Sequence, residues 1–198
     1  VVLSCGIGAD PQLAHLKATA GSVTIVRDTY GVPHVYGPSD ASVVFGLAYA
    51  RAEDQFEIIE QFYAESMGRL AEMQGEEHLV YDLLVRSLEV ERHARAEYDR
   101  LPPGLKALCD GYVDGLNFYL HTHPEVRPRV FDRFEPWFPL AGDRNFWSLY
   151  SLRNSPWRFG LRSDDLLALL SQPRNEGTAP ADSAPVPGTQ SCNSWAIA

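Results

Sequence analysis

Val23-Thr24-Ile25-Val26-Arg27-Asp28-Thr29-Tyr30-Gly31-Val32-Pro33-His34-Val35-Tyr36 places a β-branched run on each side of a short polar and glycine stretch. The alternating runs read as strands and Asp28 to Gly31 as turn chemistry, so residues 22–36 are expected to form a hairpin. Pro33 has no N–H for a ladder, which puts the return strand at an edge or next to the turn. After the hairpin the period changes. Val43, Val44, Leu47, Ala48, Phe56, Ile59, Phe62 and Tyr63 recur at three- and four-residue steps behind an N-cap at Ser39 or Asp40. That spacing predicts a long amphipathic helix over 40–66, with Glu53, Asp54, Glu57 and Glu60 for its wetter side.

Further along, a short helix is expected over 67–75, ending at Gly75, and a longer one over 79–98. Pro102-Pro103 open another helix through about residue 120, closed by His121-Thr122-His123-Pro124. Residues 127–140 are rich in Pro and rings without a period (Phe131, Phe134, Trp137, Phe138), which predicts an ordered loop packed by those rings. Two more helical stretches follow, 145–155 and 163–171. Residues 171–191 hold four prolines and two glycines. Such a stretch buries too little to offset its ordering entropy and is expected to be a mobile, protease-accessible spacer. It leads into Cys192-Asn193-Ser194-Trp195-Ala196-Ile197-Ala198, which reads as the start of a buried strand, so this chain is expected to be part of something longer. The expected class is α+β: mostly α-helical, with an N-terminal β-hairpin and the start of a C-terminal strand.

Composition removes several functions. The chain has 198 residues, 17 Lys+Arg against 26 Asp+Glu, a formal charge of −9 and 45% apolar residues, which fits one domain or part of a larger one. The acidic balance argues against nucleic acid or an anionic membrane as partner. Three widely spaced cysteines, Cys5, Cys109 and Cys192, exclude a disulfide framework and a Cys-rich zinc site. No apolar run reaches the roughly 18–20 residues that span a bilayer. Val1-Val2-Leu3-Ser4-Cys5-Gly6 resembles the end of a bacterial lipoprotein signal, which would make Cys5 a lipid anchor on an exported protein; a frayed apolar terminus is the alternative. Singly, the polar signals have bland readings. His121 and His123 are expected to cap the last helical carbonyls rather than hold a metal, and His34 to be a strand histidine with a backbone partner.

Their order carries more. Arg27-Asp28-x-Tyr30-Gly31-Val32-Pro33-His34-Val35-Tyr36 resembles the opening hairpin of the penicillin acylase (penicillin amidase) family of N-terminal nucleophile hydrolases. Gly46-Leu47-Ala48-Tyr49-Ala50-Arg51-Ala52-Glu53-Asp54-Gln55-Phe56, with Gly68-Arg69-Leu70-Ala71-Glu72, is similar to its first long helix and the turn after it. Asp110-Gly111-Tyr112-Val113-Asp114-Gly115-Leu116-Asn117 resembles a later helix, and Cys192-Asn193-Ser194-Trp195 the start of its second chain. Four blocks in the family's order identify the chain as a member. The resemblance implies a helix–sheet–sheet–helix (αββα) sandwich when complete. Residues 22–170 would be the α chain's helix-rich part, 1–21 an export leader, 171–191 the spacer and 192–198 the first residues of a β chain. The β chain, forming an α/β heterodimer with this one, is the implied partner, and the location periplasmic or extracellular.

The implied activity is hydrolysis of an N-acyl amide of the penicillin, acyl-homoserine lactone or acyl-peptide kind, through an acyl-enzyme, after self-cleavage before the nucleophile. Before cleavage the nucleophile's nitrogen is an amide and no base; freed, an α-amine with a pKa of about 7.7–8.0 is partly neutral near pH 7. Residues 1–198 alone are therefore expected to be inactive. The family usually has Ser where this chain has Cys192. Either Cys192 is the nucleophile and Ser191 precedes the cut bond, or Ser191 is the nucleophile and the cut falls one residue earlier; the second shifts Asn193 by one place, to the opposite face of a strand. Arg158 and Phe159 match a segment that lines the acyl pocket in relatives, with Trp157 beside them. Asp165 stands where the family places a calcium-binding carboxylate, with Asp for the usual Glu, or is instead a carboxylate at a helix N-terminus. No cofactor is needed for the chemistry; Ca²⁺ would be structural. Asp54-Gln55 departs from the family's Asp-Arg. From another class, the rival is a helical binding or interaction module, or an inactive family member, with 171–198 as a tail.

Overall fold

The computed structural model describes residues 11–154. The two strands form where the alternation placed them, β1 over Thr24–Arg27 and β2 over Pro33–Tyr36. They are antiparallel, with Thr24 opposite Tyr36, Ile25 opposite Val35, Val26 opposite His34 and Arg27 opposite Pro33. Pro33 thus closes the ladder beside the turn, where a missing N–H matters least. Before the hairpin, Pro11–Gly21 forms helix α1, within the segment read as leader. Of its side chains only Leu16 is buried, and so weak an apolar stripe gave no helical signal.

Helix α2 spans Asp40–Ser66, as its periodicity predicted. Ser39 caps it: its hydroxyl accepts from Ser42 N–H while the Ser42 hydroxyl accepts from Ser39 N–H, so two otherwise unpaired donors are satisfied. Gln55 leaves the helical region (φ −154°, ψ 49°) and kinks α2 there. Helix α3 is the short turn Ala71–Gln74, closed at Gly75, followed by a 3₁₀ turn at Glu76–His78. Helix α6, Pro103–Thr122, crosses α2 at close range, because a methyl on Gly111 or Gly115 would strike the carbonyls of Ala41 or Phe45. The core lies between these helices and the ring-rich loop. Phe56, Ile59 and Tyr63 of α2 meet Leu116 and Tyr119 of α6 and Phe131, Phe134 and Phe138, with Phe134 and Leu116 wholly buried. The loop is ordered by its rings, as expected.

Three expectations are corrected. The single helix over 79–98 is two: α4 at Leu79–Ser87 and α5 at Val90–Tyr98, separated by Glu89 at φ 50°. Val85 and Val90 are both buried, yet on one straight helix they would face about 140° apart. The break turns both inward. The helix expected over 145–155 begins seven residues earlier, as α7 at Phe138–Asn154. Pro139 read as a loop signal, but in a first turn its missing N–H costs nothing. Glu60 is not on the wet side at all. It is 2% exposed, and one oxygen accepts from the N–H groups of Arg129, Val130 and Phe131 at 2.7, 2.8 and 3.1 Å. Replacing Glu60 by Ala leaves these three donors without their acceptor, so Glu60→Ala in the full-length protein is expected to cost about 3 kcal/mol or more. Thermal unfolding checks this; an unchanged midpoint contradicts it.

Candidate functional site

Cys192, Ser191, Trp157, Arg158, Phe159, Asp165 and Cys5 all lie outside the described residues, as do the helix expected over 163–171 and the spacer. What the described residues supply is a frame, pinned at two places.

The first is the hairpin turn. The Arg27 guanidinium donates through Nη1 to the Gly31 carbonyl (3.0 Å) and Asp54 Oδ2 (3.1 Å). Through Nη2 it donates to the Ala50 carbonyl (3.2 Å) and Glu53 Oε2 (3.1 Å). One fork thus ties strand, turn and helix, which a lysine's compact ammonium could not do with the same planar geometry. Its hydrogen bonds to Asp54 and then to Glu53 hold its pKa above the ordinary value. Asp28 braces the same turn from within: Oδ1 accepts from Tyr30 N–H at 2.8 Å and Val32 N–H at 3.0 Å. His34 was expected to bond to backbone, but its Nε2 lies 3.4 Å from Asp28 Oδ2 instead. The Val32 N–H chiefly, then the Tyr30 N–H and His34, lower the Asp28 pKa below the ordinary carboxylate value. Beneath, Gly46 leaves room for the strands: a methyl there would come within 2.6 Å of Val23 Cγ1 and Val35 Cγ1.

The second pin is the ring-rich loop. Besides the Glu60 clasp, Asn117 presents both ends of its amide to one residue, donating to the Phe134 carbonyl at 2.9 Å and accepting from Phe134 N–H at 2.8 Å. Asp82, also buried, accepts from Leu70 and Ala71 N–H at 2.9 and 2.8 Å and fixes the start of α3. Glu60 was expected on the wet side of α2, and Asp82 carried no expected role. A signal for Glu60 was present: it sits four residues after Phe56 and three before Tyr63, on the apolar stripe itself. At the end of α6 the His123 ring nitrogen Nδ1 lies 3.0 Å from the Tyr119 carbonyl, the capping expected there.

Cys109 is buried and free, and burial, with Asp110 next, pushes its thiol pKa up; it is a core thiol without the electropositive setting of a nucleophile. Among the described residues no three His, Cys, Asp or Glu side chains converge as metal ligands. No described helix is long and apolar enough to cross a membrane. Several large apolar side chains face outward: Val26, Tyr30, Val32 and Tyr36 on the hairpin and Ile58 and Phe62 on α2. At the kink a cleft of about 380 Å³ opens between Arg51, Gln55, Ile58, Phe62 and Tyr112.

The fold of this chain is similar to that of a solved chain of thermostable penicillin G acylase from Alcaligenes faecalis. That chain aligns with 82% of this one and 98% of itself at 21% identity, with a TM-score of 0.56. The likeness shows the fold: the described residues form a helix-rich, hairpin-bearing part of an α+β architecture shared with that chain. The family model for penicillin amidase matches residues 22–198. The chain belongs to the penicillin amidase family. It is 30% identical to penicillin G acylase of Escherichia coli over 128 residues, 63% of this chain and 15% of that protein. Against penicillin acylase 2 proenzyme of Pseudomonas sp. (strain SE83) the identity is 32% over 133 residues, 64% of this chain and 17% of the relative. Against acyl-homoserine lactone acylase QuiP of Pseudomonas putida it is 32% over 113 residues, 57% of this chain and 14% of the relative. The aligned part thus spans about one seventh of these relatives' lengths.

The Asp28 brace gives a pH dependence whose sign is fixed. A carboxyl with a depressed folded pKa stabilises fully above its unfolded value, and the contribution is lost as pH falls through the folded one. Amide hydrogen exchange at Tyr30 and Val32 is therefore expected to lose protection on acidification below the ordinary carboxylate range, and Asp28→Asn to flatten that dependence. Identical profiles for the two proteins would rule the brace out.

Proposed function

We propose that this chain is the helix-rich part and the processing junction of an acylase that hydrolyses N-acyl amides by N-terminal nucleophile catalysis. The observation that supports it most is the extent of the family match, residues 22–198, a span that takes in both the hairpin and Cys192. The matched relatives are named as acylases of penicillin and of acyl-homoserine lactones. In this reading the Ser191–Cys192 bond breaks first and frees the α-amine of Cys192. That amine takes the thiol proton as Sγ attacks the acyl carbonyl, and returns it to the departing amine. Water then attacks the thioester, with the α-amine again as base, to release the carboxylic acid.

The described residues hold the scaffold for this step, and the exposed apolar side chains of the hairpin, α2 and α7 suit a covering chain, here the enzyme's own β chain. A calcium ion at Asp165 would need further oxygen ligands, and among the described residues no three His, Cys, Asp or Glu side chains converge; no step above runs through it. Export, with Cys5 as lipid anchor, belongs to the same proposal.

The test is the mass of the full-length gene product. Cleavage is expected to leave a chain beginning at Cys192, and Cys192→Ala to abolish both cleavage and deacylation. A new N-terminus at Ser191 would move the nucleophile to that residue. An uncut chain that still deacylates, or one that folds, stays intact and only binds ligand, overturns the proposal.

A further inference from the structure

The chain carries a formal charge of −9, yet four arginines, Arg69, Arg86, Arg92 and Arg95, line one cleft of about 590 Å³. It lies where α4 and α5 part at Glu89, beside the end of α2. Its floor is apolar: Met67 is half-buried, and Val85 and Val90 are the two side chains that the break turns inward. The arginine stems form its walls and add further methylene surface below their charged ends. Counting the carboxylates paired with these arginines, Glu72, Glu89 and Glu91, the cleft holds one cation more than anions.

Three of the four guanidiniums are held by more than a neighbouring carboxylate. Arg69 lies over the Phe131 ring at 4.9 Å from its centre and Arg95 over the Trp137 ring at 4.2 Å. Arg86 Nε donates to the Gly68 carbonyl at 2.7 Å. Glu72 accepts from Nε and Nη2 of Arg69, and Glu91 from Nε and Nη2 of Arg95. These bonds leave Nη1 of both arginines with no partner among the described residues. Arg86 Nη2 is 3.8 Å from Glu72 Oε1, beyond hydrogen-bond reach. The glutamates lie three or four residues from their partners on an exposed surface, where such pairs are weak and readily exchanged. Trp137, which carries Arg95, is 5% exposed, and its indole N–H also has no partner among the described residues. Buried donors left in that state are rare in a folded protein.

Rigid guanidinium forks with donors to spare suit a planar, two-oxygen anion, which they bind bidentately. The apolar floor sets the rest of the ligand. A bare inorganic ion would leave Met67 and the arginine stems uncovered, and an uncharged molecule would leave the donors unused. The volume is that of a small-molecule site. We propose that the cleft between α4 and α5 binds a small carboxylic acid with an apolar body, in its carboxylate form. Its charged end meets Arg69, Arg86 and Arg95, and its body lies along Met67. The arginines are set in place before the ligand arrives, by Phe131, Trp137 and the Gly68 carbonyl, so little side-chain entropy is lost on binding. The site draws only on described residues and stands whether or not the Ser191–Cys192 bond is cut.

The test uses the full-length protein and octanoate carrying a photoreactive diazirine at the far end of its chain. Mass spectrometry is expected to find the label on a peptide within residues 67–95. Unlabelled octanoate is expected to suppress that labelling, while acetate, octanol and inorganic phosphate at the same concentration leave it in place. Label found only on other peptides overturns the proposal, as does equal suppression by octanol or by phosphate. Arg92 and Arg95 are more than half exposed, so Arg92→Gln with Arg95→Gln is expected to keep the thermal midpoint. The concentration for half-maximal labelling of the 67–95 peptide is expected to rise about tenfold or more in that variant. An unchanged concentration in a folded variant overturns the proposal, and if the variant does not fold, the labelling and competition in the parent decide alone.

Discussion

Helix α2 can lie against α6 only because positions 111 and 115 of α6 carry no side chain; there the backbones meet where any methyl would strike the Ala41 or Phe45 carbonyl. The rest of the described structure is arranged around that contact. With α6 so close, Phe56 stacks on Tyr119 at 5.6 Å between ring centroids and packs edge-on to Phe134 at 6.0 Å. The next face of α2 is then free for the hairpin, where Gly46 again removes the obstacle. Dispersion and apolar burial fall off steeply with small gaps, so widening the helix pair by the width of a methyl would loosen the ring cluster as well.

Polar groups then give this packing one arrangement. Glu60, Asp82 and Asn117 each spend their acceptors on backbone N–H groups of segments with no regular partner of their own. Burying a carboxylate is costly unless it is hydrogen-bonded, and the loop's donors are equally costly left bare, so each satisfies the other and little else will. The consequence for function is positional. The hairpin is referred to α2 through Arg27, the ring loop to α2 through Glu60 and to α6 through Asn117, and α7 follows directly from that loop. A frame of this kind suits the acylase proposed above, whose proposed nucleophile lies outside the described residues.

Legibility followed the strength of local signals. The hairpin, α2 and α6 were read nearly to the residue, since alternation, a Ser cap and a Pro start act within a few residues. The break at Glu89 was invisible, because Val90-Glu91-Arg92 continues the helical composition and no Gly or Pro marks the stop. Glu60 was assigned to water because it is charged, although its spacing put it on the buried stripe. For His34 the partner proved to be a side chain six residues away, across a turn whose shape had first to exist.

The amino-acid sequence by itself determined the hairpin, α2 and α6 in order and type and, through four separated blocks, the family. These depend on periodicity, caps and residue identity, all of which are local. Only the tertiary structure decided that an acidic side chain at 60 would hold a loop some seventy residues distant, and that Val85 and Val90 would force a helix to break. Each of these turns on which groups are left unsatisfied or unburied once distant segments have met, and a linear pattern carries no record of that competition.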